Sequence, residues 1–225
     1  GGRGDVPGEI ADYTVVVKLE GVPKEQIAMA LVGRGAAKGK QGDALGAIAD
    51  YTAVVELEGA PKEQIATALF NRALQFRKSD QAGKAISDLL RVVESGVTSE
   101  ELLTDAAEVA FSSLWSRNDR EGAEGVLSTF SVAVASLTKE LVRETTIRFL
   151  SGLASSEMKM AWPIAWRKLA ESENRGAMEA LEFLRPVCAI LEGGDAVVLE
   201  ALPPEQREFV QSVLSRFEKE AKDEG

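Results

Sequence analysis

Residues 10–31 read IADYTVVVKLEGVPKEQIAMAL, and residues 48–69 repeat that segment as IADYTAVVELEGAPKEQIATAL. The two copies lie 38 positions apart and are identical at eighteen of 22 positions. A period of roughly 20–50 residues is typical of folds that stack one supersecondary unit on the next. Because such arrays usually hold a partner on an extended surface, the repeat favours a binding function over catalysis.

Each unit of the repeat is predicted to be two α-helices joined by a tight turn. Apolar residues recur at the spacing of one helix face on both sides of a turn at 79–81. They are Leu69, Ala73 and Phe76 before the turn, and Ala85, Ile86, Leu89, Val92 and Val93 after it. The preceding copy has the same pattern in Leu31, Gly35, Ala47, Ile48, Tyr51, Val54 and Val55. One hairpin buries too little apolar surface to offset its chain entropy, so the units are expected to stack.

Glycine, proline and aspartate mark the predicted helix boundaries. Gly59 is expected to end one helix, and Pro61 fits the first turn of the next helix. The same positions in the first copy are Gly21 and Pro23. Gly42 suits a left-handed turn, and the Asp43 side chain can cap the helix that follows.

The period extends beyond the two clear copies in both directions. A third, diverged copy follows at 94–101, where Thr98 or Ser99 is expected to cap a helix. A fainter fourth copy has its turn at 118–119. In the other direction 4–5 aligns with 42–43, so the first unit is expected to lack its first helix. This register predicts further sequence upstream in the parent protein.

A missing first helix would leave an apolar stripe of the first unit uncovered. That stripe consists of Ile10, Tyr13, Val16 and Val17. An exposed stripe of this kind favours contact with a partner chain. A homodimer formed through the truncated N-terminal repeat is therefore one expectation.

The helix–turn–helix unit resembles the tetratricopeptide repeat family over about residues 4–136. The resemblance is carried by 68–73 with Phe76, Ala85, Ile86 and Leu89, and in the copy before by Leu31, Gly35, Gly42, Asp43, Ala47, Ile48 and Tyr51. The chain departs from the family in its 38-residue period, at Lys38 and at Arg72. The resemblance implies an all-α fold of antiparallel helix hairpins, stacked as a right-handed superhelical solenoid.

Residues 137–225 break the period and are predicted to form further helical hairpins that cap the C-terminal end. Helices are expected from Thr138 to about Leu150 or Leu153, over 175–191, and from 203–205 onward. A stripe of Met158, Trp162, Trp166 and Leu169 at helical spacing is interpreted as core. The predicted domains are thus 1–136, with about 3.5 repeats, and 137–225.

Transferred by position, the ligand face of the resembled family gives a partner-binding groove along the first helices. Its residues are Lys40, Thr67, Phe70, Asn71, Leu74, Arg77, Lys78, Glu108, Ser112 and Trp115. Phe70 and Trp115 are the expected aromatic anchors for a peptide or partner segment. Asn71 matches a carboxylate-clamp position of some relatives, although Gly33 and Val109 occupy its equivalents. The alternative is that Asn71 is an ordinary solvated residue.

Composition removes several classes of function. The formal net charge of −10 disfavours nucleic acid as a partner. Histidine is absent, which excludes imidazole catalysis and histidine-containing metal sites, and no phosphate-binding or dinucleotide motif occurs. The single cysteine, Cys188, lies in an apolar run and is interpreted as a buried, inert thiol. No run approaches the ~20 apolar residues of a membrane span. We therefore expect a cytoplasmic protein with no cofactor and no metal.

The sequence favours a non-catalytic scaffold or sensor module that binds a protein or peptide segment. The resemblance to near-identical bacterial repeat arrays suggests a bacterial setting. An alternative interpretation is an accessory or regulatory region of a larger bacterial enzyme, such as an NTPase, nuclease or protease, whose catalytic domain lies elsewhere. Self-assembly through the first unit is a third interpretation.

Overall fold

The computed structural model describes residues 5–95, 99–135, 137, 139–155, 158–171, 174–193 and 199–219. These residues form eleven α-helices, and sequential helices pack as antiparallel pairs. The first six are α1 (Val6–Lys18), α2 (Lys24–Lys40), α3 (Ala44–Glu56), α4 (Lys62–Lys78), α5 (Ala82–Glu94) and α6 (Glu100–Ser116). The remaining five are α7 (Arg120–Val134), α8 (Lys139–Gly152), α9 (Ala161–Ala170), α10 (Arg175–Leu191) and α11 (Pro204–Lys219). The all-α fold class is therefore confirmed.

The predicted 38-residue period is visible in the helix boundaries. Helices α2, α4 and α6 each contain 17 residues and begin 38 positions apart, at Lys24, Lys62 and Glu100. Helices α1, α3 and α5 each contain 13 residues and also begin 38 positions apart, and α7 begins 38 positions after α5. The third and fourth copies thus form the helices that the sequence predicts for them.

The turns repeat with the same period as the helices. Gly42 has a φ of 87°, and its equivalents Asp80 and Asn118 have φ values of 55° and 61°. A positive φ is unfavourable for most side chains, but aspartate and asparagine tolerate it better than other residues with a Cβ. The Asp43 carboxylate accepts a hydrogen bond from the Gly46 amide at 2.8 Å, which confirms the predicted cap. Asp5 and Asp119 cap α1 and α7 in the same way.

The linkers that precede α2, α4 and α6, between successive repeats, differ from the prediction in one detail. Pro23 and Pro61 occupy the N-cap positions of α2 and α4, one residue before the first turn, with no side-chain cap. At the start of α6, the Leu102 amide donates to the Ser99 hydroxyl at 3.4 Å, so Ser99 caps this helix. Thr98, the other predicted cap, lies outside the described residues.

The chain folds as two compact units, 1–106 and 107–225, with the boundary inside α6. In the first unit each helix from α1 to α4 packs against the next, and α2 also packs against α4. The division proposed from the repeat period, at 136–137, is a different partition and stays a prediction. Small residues allow the close crossings, because Ala47 and Ala85 are fully buried, as predicted.

Two tyrosines of the first unit pack on glycines of α2. A Cβ built on Gly35 would lie 2.7 Å from a ring carbon of Tyr51, and a Cβ built on Gly33 would lie 2.5 Å from a ring carbon of Tyr13. These glycines are therefore required for space within a helix, not for a special backbone conformation.

A repeated polar triad joins three successive helices in the first unit. Arg34 of α2 donates from Nε and Nη2 to the two carboxylate oxygens of Asp50 on α3, at 2.9 and 2.7 Å. Its Nη1 donates to the Thr14 hydroxyl on α1 at 3.2 Å. Lys38 lies on the same carboxylate, with Nζ 2.9 Å from Oδ2. Lys38 is thus a second cationic partner of Asp50.

The triad recurs 38 residues later with the same atoms. Arg72 of α4 donates to both oxygens of Asp88 on α5 at 2.7 and 2.8 Å, and to the Thr52 hydroxyl on α3 at 2.9 Å. The side chains of Arg72 and Asp88 are only 12% and 6% exposed. A bidentate pair of this kind fixes the angle and the register of two helices as well as their distance.

The second unit has an aromatic core. The Phe130 ring stacks on Phe149 with centroids 4.6 Å apart, and the Phe149 ring meets Phe111 edge to face at 6.3 Å. Trp162 is fully buried, and its indole nitrogen donates to the Leu150 carbonyl at 2.7 Å. Helix α10 packs against α8, α9 and α11, and α7 packs against α9.

The predicted C-terminal elements are found within two residues of their expected bounds. Met158, Trp162 and Leu169 are buried, which confirms them as core, whereas Trp166 is half-buried. Thr138, the predicted cap of α8, lies outside the described residues. The described helices include none that is long and apolar enough to span a bilayer.

Replacing Arg72 by alanine is predicted to lower the free energy of unfolding by about 2–4 kcal/mol, because it leaves the Asp88 carboxylate buried without its bidentate partner. Urea denaturation followed by circular dichroism measures the change. Arg167→Ala is the matched control, since it removes an arginine whose pair with Glu192 is exposed. Equal losses in the two variants would contradict the structural role of the triad.

Adding one methyl group is predicted to have opposite effects at two helical glycines. Gly35→Ala should destabilise the chain by about 1–3 kcal/mol, because the new Cβ overlaps the buried Tyr51 ring. Gly125→Ala should stabilise it by about 0.5–1 kcal/mol, because nothing lies within 4 Å of a Cβ there and alanine is the better helix former. The melting temperatures of the two variants would then move in opposite directions, and a shared direction would refute this packing.

Candidate functional site

All but one of the predicted groove residues of the first unit lie along one side of α4. Thr67, Phe70, Asn71 and Leu74 are half-buried, and Arg77 and Lys78 at the end of the helix are exposed. Lys40 is exposed at the end of α2. Helical spacing places Phe70, Asn71 and Leu74 on one stripe, so the structure brings an aromatic ring, an amide and an aliphatic side chain together.

A surface cleft of about 270 Å³ lies beside the first turns of α4 and α6. Its lining residues are Glu63, Thr67, Ser99, Glu101, Leu102 and Asp105. Of the predicted groove residues only Thr67 lines this cleft. Glu63 is exposed, and its carboxylate suits a cationic side chain.

The acidic cleft residues follow the repeat period, which is a signal that sequence reasoning missed. Glu63 and Glu101 are 38 positions apart, and Asp105 is the equivalent of Thr67. Arg77 and Lys78 lie in the last turn of α4, opposite the acidic end. Acidic residues at the start of a helix and basic residues at its end both favour the helix dipole, so the charge separation along α4 is locally stable.

The remaining predicted groove residues belong to the second unit. Trp115 stacks on Phe111 with ring centroids 5.9 Å apart and planes at 14°. The Arg120 guanidinium lies 3.5 Å from the centroid of the Trp115 ring, and its Nη1 donates to the Trp115 carbonyl. The Ser112 hydroxyl donates to the Val109 carbonyl within the same helix, and Glu108 is half-buried. Trp115 is therefore engaged in contacts of its own unit, which makes it a weaker candidate for an anchor than Phe70.

A carboxylate clamp built on Asn71 would need similar polar residues at the equivalent positions of the other repeats, and these positions lack them. The equivalent of Asn71 in the preceding copy, Gly33, lies under the Tyr13 ring, where any side chain would collide with ring atoms. The other equivalent, Val109, is apolar. The Asn71 side chain is half-buried and forms no hydrogen bond with any described residue. A clamp built from repeated asparagines therefore does not form along these helices.

The titratable groups with shifted pKa values are explained by burial and by pairing. The hydrogen bond to Asp50 raises the pKa of Arg34 above its ordinary value. Burial, together with the Asp50 carboxylate, raises the pKa of Tyr51 to about 12. Burial, with a smaller effect of Glu192, raises the pKa of Cys188 to about 11. The Cys188 thiol is thus protonated near neutral pH, which fits its interpretation as a buried, unreactive group.

Side chains suited to metal binding are dispersed in the described part of the chain. No group of three or more histidine, cysteine, aspartate or glutamate residues there could hold a metal ion.

The comparisons with known proteins add no further information. The chain matches no protein-family model, no curated protein and no solved structure.

The stability of the fold is predicted to fall as the pH rises from 10 to 12. Because the folded chain holds the Tyr51 proton more tightly than the unfolded chain does, the stabilisation is complete below pH 10, the ordinary pKa of tyrosine, and is lost as the pH rises through about 12. Urea titrations at several pH values measure this loss. Tyr51→Phe should remove the tyrosine contribution, and identical pH profiles of the two proteins would contradict it.

Proposed function

We propose that this chain is a non-catalytic scaffold or sensor module that holds a segment of a partner protein along α4. We further propose that its helix pairs continue as a right-handed superhelical solenoid of the tetratricopeptide type. The observation that carries the proposal is that α2 packs against α4 as well as against α3. Each 38-residue repeat would then add one helix to a shared surface.

The chemistry of the α4 surface suggests what the bound segment carries. The half-buried Phe70 ring and the Leu74 side chain offer apolar contact, and aromatic residues commonly dominate the binding energy of such surfaces. The exposed Glu63 carboxylate lines the cleft beside Thr67, so the cleft suits a lysine or arginine. The exposed Arg77 and Lys78 at the other end suit an acidic residue. We therefore propose a peptide with a basic residue, an apolar centre and an acidic residue, in that order along α4.

The proposed groove differs in one respect from the one that the sequence predicts. Phe70 stays an anchor, while Trp115 does not, because its ring is held by Phe111 and Arg120. The double variant Phe70→Ala, Trp115→Ala would therefore disturb the second unit as well as the surface, and a loss of binding could not be attributed to either cause. A single substitution at Phe70 avoids this difficulty.

Peptides selected from a random phage library on the intact chain are predicted to bind Phe70→Ala at least about tenfold more weakly, because the ring is the largest apolar contact on this surface. Isothermal titration of the synthetic peptides measures the affinities. The selected sequences should be enriched in a basic residue, and Glu63→Gln should weaken the binding of those peptides about threefold or more.

Leu45→Ala supplies the control for this experiment, since Leu45 is 80% exposed on α3 and outside the α4 surface. The affinity of the Leu45→Ala variant for the peptides should stay within a factor of about two of the affinity of the unsubstituted chain. Unchanged binding to Phe70→Ala, at unchanged helicity, would eliminate α4 as the recognition surface.

A further inference from the structure

Helix α3 has an apolar outward face, on the side opposite its buried residues. Four apolar side chains lie exposed or half-buried there at the spacing of one helix face, and they are Leu45, Ile48, Ala49 and Ala53. Leu45 is 80% exposed. Thr52 lies among them, and its hydroxyl is occupied by Arg72. Of the two charged residues of α3, Asp50 is buried in the polar triad and Glu56 lies at the end of the helix.

The packing of the repeat does not require this face to be apolar. The next copy has Gly83, Ser87 and Arg91 at the positions of Leu45, Ala49 and Ala53. Helix α5 is nevertheless held by the same kind of polar triad as α3. The face is open although α2 and α4 both pack against α3, so its exposure does not depend on either end of the chain. A contiguous exposed apolar patch of this kind favours contact with another molecule.

We propose that the outward face of α3 binds a second copy of this chain, with the two α3 helices antiparallel across a two-fold axis. Leu45, Ala49 and Ala53 follow one another at intervals of four residues. An axis that passes beside Ala49 therefore places Leu45 of each copy opposite Ala53 of the other. A large side chain then meets a small one at both ends of the contact, and the two rows of side chains can interdigitate. The face is thus complementary to itself in shape.

The charges around this face also fit a second copy. With a formal net charge of −10, two copies repel each other at long range, so an uncharged face is where they can approach. The antiparallel arrangement brings Glu56 of each copy to the N-terminal end of the other α3, where the helix dipole favours a negative charge. Lys40 and Asp43 are both exposed near that end, and their charges offset each other. A parallel pair would instead bring the two Glu56 side chains together.

The size of the face sets the expected strength of the dimer. Helix α3 has 13 residues and is therefore about 20 Å long. Two such faces bury less than about 1,200 Å², which is the range of weak and transient protein–protein interfaces. The dissociation constant of the dimer should therefore be about 10 μM or higher.

Sedimentation equilibrium of the intact chain, from about 1 μM to about 1 mM, measures this dimer. Ala49→Glu should raise the dissociation constant at least about tenfold, because the two-fold axis brings the two new carboxylates together. Ala53→Arg should have the same effect, and Arg91 at the equivalent position of α5 shows that the fold accepts an arginine there. Leu45→Ala should raise the dissociation constant about threefold or more, since the contact contains this side chain twice. The same variant should leave peptide binding along α4 unchanged, so the two surfaces are separable.

Ser87→Glu is the matched control, because Ser87 is exposed on α5 at the position that Ala49 has on α3. The same charge change there should leave the dissociation constant within a factor of about two. Circular dichroism checks that each variant keeps its helicity. A chain that stays monomeric at about 1 mM, or a dimer that both Ala49→Glu and Ala53→Arg leave intact, would overturn the proposal. So would a dimer that Ser87→Glu weakens as much as Ala49→Glu does, because the contact would then not lie on α3.

Discussion

The arginine that bridges three helices is the interaction on which the first unit depends. Each guanidinium joins the helix before it through a threonine and the helix after it through an aspartate. Apolar packing alone is non-directional and would tolerate several crossing angles, whereas a bidentate pair between nearly buried groups has one geometry. The third copy has Leu90, Ala110 and Val126 at the three positions. The first unit, which ends at Ala106, therefore ends where apolar residues replace the polar triads.

The same contacts explain why the two copies of the repeat are so similar. They differ at Val15, Lys18, Val22 and Met29, and none of these side chains is buried. Their counterparts Ala53, Glu56, Ala60 and Thr67 are also outside the buried set. Residues that meet both neighbours have little freedom, because a change of one methylene in a close-packed interior is destabilising. Differences between the copies therefore occur where side chains face solvent, which is also where a partner would be recognised.

Periodicity was sufficient to predict the helices of 24–94, their turns and the Asp43 cap, since each depends on local sequence. It was insufficient for the polar triads. Lys38 and Arg72 stood out as charged residues on apolar faces, but their partners lie 12 to 16 positions away on another helix. The site was predicted less well for the same reason: the Thr67 cleft lies beside two helices, and the guanidinium over the Trp115 ring comes from Arg120 on the next helix. Residues after 137 have no repeat period, so the sequence predicted helices there but not which of these helices pack against one another.

The buried position of α3 depends on the helices on either side of it. Asp50, Tyr51 and Val54 of α3 are buried because α2 and α4 both pack against this helix. The surface proposed for recognition on α4 lies outside this packing, because Phe70 and Leu74 lie beside the buried stripe of Leu69, Ala73 and Phe76 rather than within it. A segment bound there, as proposed, would therefore leave the core contacts between the helices intact.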